Sequence, residues 1–205
     1  MVGSDARGQA VTLEAVAAGL VLLSSVVFAL QMTAVTPLSA STSSQHIENQ
    51  LEASAEGVLA ASVKDGSLKR AILFYNETSS VFINASGQNC EYRGSPPDIE
   101  FGQTLQWAFD QRGIAYNIYV TYSVGGEDRT RRMYYRGEPS DNAVSASTSV
   151  ILTEDTPLYD NSDTSDITLE PRPVTVSETD NYFIGNQSRS GLYNVAEVEV
   201  VVWRI

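Results

Sequence analysis

Residues 9–32 carry one charge, Glu14, and from Ala15 to Leu30 only Gly19, Ser24 and Ser25 lack an apolar side chain. A helix rising about 1.5 Å per residue needs about 20 such residues to cross the hydrocarbon layer of a bilayer. A core helix of a globular protein keeps a polar stripe, whereas this segment is apolar all round, so a membrane span is the expected reading. No Lys or Arg falls between Arg7 and Lys64 to interrupt it. A cleavable secretory signal has an apolar run of about 7 to 15 residues and a small-x-small cleavage site. The run here is longer and no such site follows Leu30, so the segment is expected to remain in the mature chain.

Two residue patterns within the span bear on what surrounds it. Ala15 and Gly19, then Ser25 and Ala29, are small residues four apart, a spacing that lets a second helix approach closely. Glu14 stands at the edge of the apolar run, where a carboxylate takes an interfacial position or a partner. Pro37 and the Ser/Thr-rich residues 39–44 predict a kink or short break just beyond the span. Further on, Ile47, Leu51, Val58 and Leu59 recur at helical spacing, with Glu48, Glu52 and Glu56 as an acidic stripe on another face. An amphipathic helical stretch is therefore expected over Gln45 to Val63, ended by Asp65-Gly66.

After that the period changes. Ala71 to Tyr75 and Val81 to Asn84 read as short strands, and Phe101, Leu105 and Phe109 as one face of a short helix. Ile114 to Val124 alternates, and Gly125-Gly126 turns it into Arg129 to Arg136, a hairpin. Ala143 to Leu152 and Leu192 to Trp203 supply two more strands, the last with Ala196, Val198, Val200 and Val202 inward and Glu197 and Glu199 outward. The predicted architecture is α+β, a long N-terminal helix packed by its C-terminal half on a small antiparallel sheet domain.

Composition narrows the function classes. The net charge is −12, from 25 acids against 13 bases, with 42% hydrophobic residues, so the charge belongs to a folded acidic surface rather than a disordered tail. Such a balance excludes a cationic nucleic-acid footprint and suits concentrated salt. Cys90 and His46 are each alone, which leaves no internal disulfide, no thiolate or multi-His metal site and no credible Ser/His/Asp triad. No phosphate-cradling loop or nucleophile elbow occurs either, so neither an enzymatic activity nor a cofactor is expected. Arg129, Arg131, Arg132 and Arg136 are read as cross-strand partners of acids. The acidic residues 160–166 depart from a calcium loop at Ser165 and Pro171 and are read as solvated. Asn76, Asn84 and Asn186 head acceptor sequons and are candidate glycan sites.

The run Asp5-Ala-Arg-Gly-Gln-Ala-Val-Thr-Leu-Glu resembles the class III signal peptide of archaeal type IV pilin-like proteins. The resemblance covers about the first 60 residues, and the segment Thr33 to Gln50 also looks like uncharacterised membrane-anchored proteins of halophilic archaea. It implies a prepilin peptidase cutting after Gly8, so that residues 1–8 are a leader and Gln9 begins the mature chain. Glu14 would meet the free amino terminus of a neighbouring subunit, although it would stand sixth where the family pattern favours the fifth position. The implied organisation is a transmembrane helix over 9–35, a kinked amphipathic stalk over 36–66 and an extracellular α+β domain over 67–205, a pilin-like fold. The implied partners are the membrane, the prepilin peptidase, and further copies or other pilin-like subunits, in a filament at the cell surface. A single-pass membrane anchor, N-terminus in the cytoplasm, carrying an outer binding or export-accessory module is the alternative.

Overall fold

The structure, a computed structural model, describes residues 5–161, 167–187 and 191–205, with side chains over 11–31, 45–161, 167–187 and 191–205. Its contacts divide the chain into two units, Met1–Ile47 and Glu48–Ile205.

The first unit is helical, part of α1 (Asp5–Lys64). The backbone stays helical through Pro37, so of the kink or short break expected there the helix shows no break, and the Pro37 side chain lies outside the described residues. Proline removes one N–H from the helical ladder, and here the turns on both sides persist without it.

In the second unit, the last turns of α1 bury Leu51, Ala55, Leu59 and Ser62 on one face, while Glu52 and Glu56 stand exposed. This is the amphipathic stripe expected from the spacing. Gly66, at φ 77°, makes the left-handed turn that ends α1, and Asp65 Oδ1 accepts the Ser67 N–H at 2.8 Å. The chain then starts α2 (Ser67–Leu73) rather than the strand expected over Ala71 to Tyr75. Leu68, Ala71 and Ile72 are all fully buried, a helical i, i+3, i+4 set that a short apolar run conceals. Only β1 (Tyr75–Asn76) is extended, paired with β2 (Val81–Phe82).

The main sheet contains β3 (Tyr92–Arg93), β4 (Ile114–Val124), β5 (Glu127–Tyr135), β6 (Val144–Thr153) and a final long strand, Leu192–Arg204. Two shorter strands, β7 (Pro157–Asp160) and β8 (Glu170–Thr175), pair apart from it, which makes the final strand β9. The order is β3-β5-β4-β9-β6. Every pair is antiparallel except β3 with β5, so the sheet is mixed at one edge rather than purely antiparallel. Gly125 and Gly126 have φ of 62° and 88°, the two positive values a two-residue hairpin turn needs. Ala196, Val198, Val200 and Val202 are fully buried on β9 and Glu197 is exposed, as alternation predicts. The helix α3 (Glu100–Ala108) fills the expected position and buries Phe101 and Leu105.

The chain is thus α+β, with an apolar N-terminal helix and a small C-terminal sheet domain. Its core has a part the sequence pattern does not announce: Tyr182, Phe183 and Ile184, in a loop, are buried, and the two aromatics join Tyr75 and Phe82 in a cluster of mostly edge-to-face rings. The Tyr182 hydroxyl donates to the Ile72 carbonyl at 3.0 Å, tying that loop to α2.

Candidate functional site: an exposed apolar helix and the surface features of the folded unit

From Val11 to Gln31 the helix offers 21 residues, about 30 Å of rise, which is long and apolar enough to cross a membrane. None of this window is buried. Leu20, Val21, Leu22, Leu23 and Phe28 are each more than 60% exposed, a density of apolar side chains rare on the surface of soluble monomers.

The two serine hydroxyls of the span are already provided for. Ser24 Oγ donates to the Leu20 carbonyl and Ser25 Oγ to the Leu22 carbonyl, both at 2.8 Å. Each hydroxyl proton is therefore used inside the helix, which removes most of the cost of placing serine in hydrocarbon. At about 100° per residue, Ala15, Gly19, Ser25 and Ala29 fall within an arc of about 120°, and Glu14 borders it. Nothing approaches within 4 Å of where a Gly19 side chain would begin, so this face is open to a second helix. Gly8 and Gln9 lie in the helical backbone, and the Gln9 side chain is outside the described residues.

On the folded unit, Asn76 is exposed and its Oδ1 accepts the N–H groups of Thr78 and Ser79 at 2.9 and 3.1 Å. Asn84 is exposed in a left-handed turn at φ 64°, and Asn186 is exposed, with Ser188 of its sequon outside the described residues. The acidic loop considered for calcium also falls largely outside them, at 162–166. Cys90 is a free, partly exposed thiol.

A cavity of about 300 Å³ opens beside Asn84, with Phe74 and Tyr92 among its apolar walls and Arg93 and Asp98 among its polar ones. Arg93 is held from below, its Nε donating to Glu91 Oε1 at 2.7 Å. Burial pushes the Glu91 carboxyl up, but Arg93 and the backbone donors outweigh it and leave it below its ordinary value. Gly87 closes over this carboxylate so tightly that an added Cβ would lie 2.6 Å from its carbon.

The arginines of β5 do not pair with acids across the sheet as expected. The register sets Arg129, Arg131 and Arg132 opposite Tyr122, Val120 and Tyr119, so no carboxylate faces them. The Arg131 guanidinium lies 5.2 to 5.6 Å from the ring centres of Phe183, Tyr75 and Phe82, and Arg132 lies 4.7 Å from that of Tyr135. Among the described residues, Arg136 forms an ion pair with Asp110. The strongest ion-pair geometry is elsewhere: Arg172 grips both oxygens of Glu77, at 2.7 and 2.8 Å, and thereby holds the Glu77 carboxyl below its ordinary value.

A family model describes residues 7–202, a range that takes in the apolar span and the folded unit through β9. The chain belongs to DUF7288, a family of unknown function. No curated protein and no solved structure matches it. The DUF7288 match thus takes in the apolar helix and the sheet domain together.

Proposed function

We propose that this DUF7288 chain is a pilin-like structural subunit, of minor-pilin type, of an archaeal type IV pilus-like surface filament. The observation that carries the reading is the division of labour along α1. Val11–Gln31 exposes its apolar side chains, while Leu51, Ala55 and Leu59 bury theirs in the folded unit. An apolar helix of this kind is stable in lipid before assembly and among sister helices after it. The N-terminus sits in the cytoplasm, the folded unit outside the cell, and Arg7 is the flanking base that favours this orientation.

Processing by a prepilin peptidase hydrolyses the Gly8–Gln9 peptide bond and frees the Gln9 amino group. Glu14 of one subunit then meets that ammonium on its neighbour, a charge pair that gains strength away from water. Ala15, Gly19, Ser25 and Ala29 form the surface over which neighbouring helices approach. The acidic, lysine-poor composition suits a subunit exposed to concentrated salt, where screening removes self-repulsion.

Mass spectrometry of the N-terminus of the native protein tests this. A chain beginning at Gln9 is the expected result, and a chain retaining Asp5 and Arg7 removes the pilin reading. Electron microscopy of cells lacking the protein then asks whether a surface filament depends on it. The second reading, an anchored module that binds a ligand or assists export, is favoured by the cavity beside Asn84, whose polar wall includes the held Arg93.

A further inference from the structure

The cavity beside Asn84 joins groups of three kinds: apolar walls that include Phe74, Tyr92 and Pro97, the guanidinium of Arg93, and the carboxylate of Asp98. Its walls are set before anything enters, as in most small-molecule sites. Phe74 and Tyr92 are buried, and the Tyr92 hydroxyl donates to the Ile83 carbonyl at 2.7 Å. Pro97 is fixed by its carbonyl, which accepts the Ile99 N–H at 2.9 Å and lies against Gly102. Arg93 is fixed as well. Its Nε donates to Oε1 of Glu91, a carboxylate with no exposure to solvent, and its guanidinium carbon lies 5.5 Å from the centre of the Tyr135 ring. Burying a carboxylate is costly unless it is paired, and what this pair delivers is a guanidinium held at one edge. Among the described residues neither terminal nitrogen of Arg93 has an acceptor. The open edge presents two parallel N–H donors, a fork that matches a carboxylate or a phosphate.

Asp98 decides between those two anions. It is exposed, in no ion pair among the described residues, and its hydrogen bond from Gln103 Nε2 is long, at 3.5 Å. A phosphate dianion sharing a cavity of about 300 Å³ with that carboxylate, on a chain of net charge −12, meets like charge. A single carboxylate accompanied by an ammonium finds one partner for each. We infer that this cavity binds a free amino acid with an aliphatic side chain, its carboxylate on the open edge of Arg93, its ammonium on Asp98 and its side chain against Phe74, Tyr92 and Pro97. The C-terminal residue of a peptide offers the same carboxylate and side chain, but a neutral amide replaces its ammonium, so Asp98 favours the free molecule. The volume agrees, since it lies at the small end for ligand sites. This inference rests on the reading of the chain as an anchored binding module and gives that module its ligand.

The test is isothermal titration calorimetry of the full chain in detergent with L-leucine, and with N-acetyl-leucine, leucinamide, acetate and glucose as companion probes. Leucine is expected to bind saturably, one per chain. N-acetyl-leucine, without the ammonium, and leucinamide, without the carboxylate, are each expected to bind about tenfold more weakly or worse. Arg93→Gln should lose leucine binding, but it also leaves Glu91 buried without its partner. Asp98→Asn, at an exposed side chain, is therefore the second variant. It is expected to keep the melting temperature and to lose about tenfold in leucine affinity, with the affinity for N-acetyl-leucine unchanged. Absence of leucine binding overturns the inference. So does equal binding of N-acetyl-leucine, which would assign the site to peptide C-termini, and so does an unchanged leucine affinity in Asp98→Asn. Acetate and glucose separate this failure from that of the module reading. If either binds while leucine does not, the amino acid is wrong and the cavity remains a ligand site; if no probe binds, both readings fall.

Discussion

Gly102 shows what a single residue can decide in this fold and how little the sequence says about it. It lies inside α3, where glycine is ordinarily a weakness, yet an added Cβ would stand 1.8 Å from the Pro97 carbonyl oxygen. That neighbour is backbone, so the clash is relieved only by moving the helix. Gly102→Ala is expected to destabilise the chain by about 3 kcal/mol, read as a lower denaturant midpoint at unchanged slope, although alanine is the better helix former. A second residue-scale prediction concerns pH. The Glu77 carboxyl is held below its ordinary value of 4.5 by Arg172, so its contribution is fully present above that value and fades as pH falls below it. Arg172→Ala should therefore cost about 1 kcal/mol at neutral pH, and the gap between the two melting curves should close as acid is added. Neither position was legible beforehand, because a close backbone approach and an ion pair spanning 95 residues leave no local pattern.

At the scale of elements, periodicity carried as far as the elements were long. β4 and β9 could be read because apolar alternation over 11 or more residues has one interpretation, and the two glycines fixed the turn into β5. The apolar run at Ala71 to Tyr75 is too short to choose between periods, and burial of Leu68, Ala71 and Ile72 decides it for a helix. β7 and β8 pair with each other apart from the main sheet, and only partner strands and not an inner-face pattern mark them. The two functions assigned to α1 make a paired prediction. Leu22→Arg adds about 3 kcal/mol to the cost of membrane insertion and should abolish membrane recovery while leaving the unfolding of the sheet domain unchanged. Leu59→Ala, at a side chain only 2% exposed, should lower domain stability by about 2 to 4 kcal/mol and leave membrane recovery intact. Urea unfolding and membrane fractionation of both variants separate the two roles.

For the molecule as a whole, the account rests on what surrounds Val11–Gln31. The sequence made the span legible because a predominantly apolar run of 21 residues has few fates, and the family match over residues 7–202 keeps that span with the folded unit. The filament and the subunit contacts are a further step, argued from Glu14 and the small-residue face. The most direct measurement is flotation of the full-length chain with lipid vesicles on a density gradient, followed by an alkaline carbonate wash. The account predicts that the chain rises with the vesicles and stays with them through the wash. A chain that remains at the bottom of the gradient as a monodisperse species without detergent would contradict it.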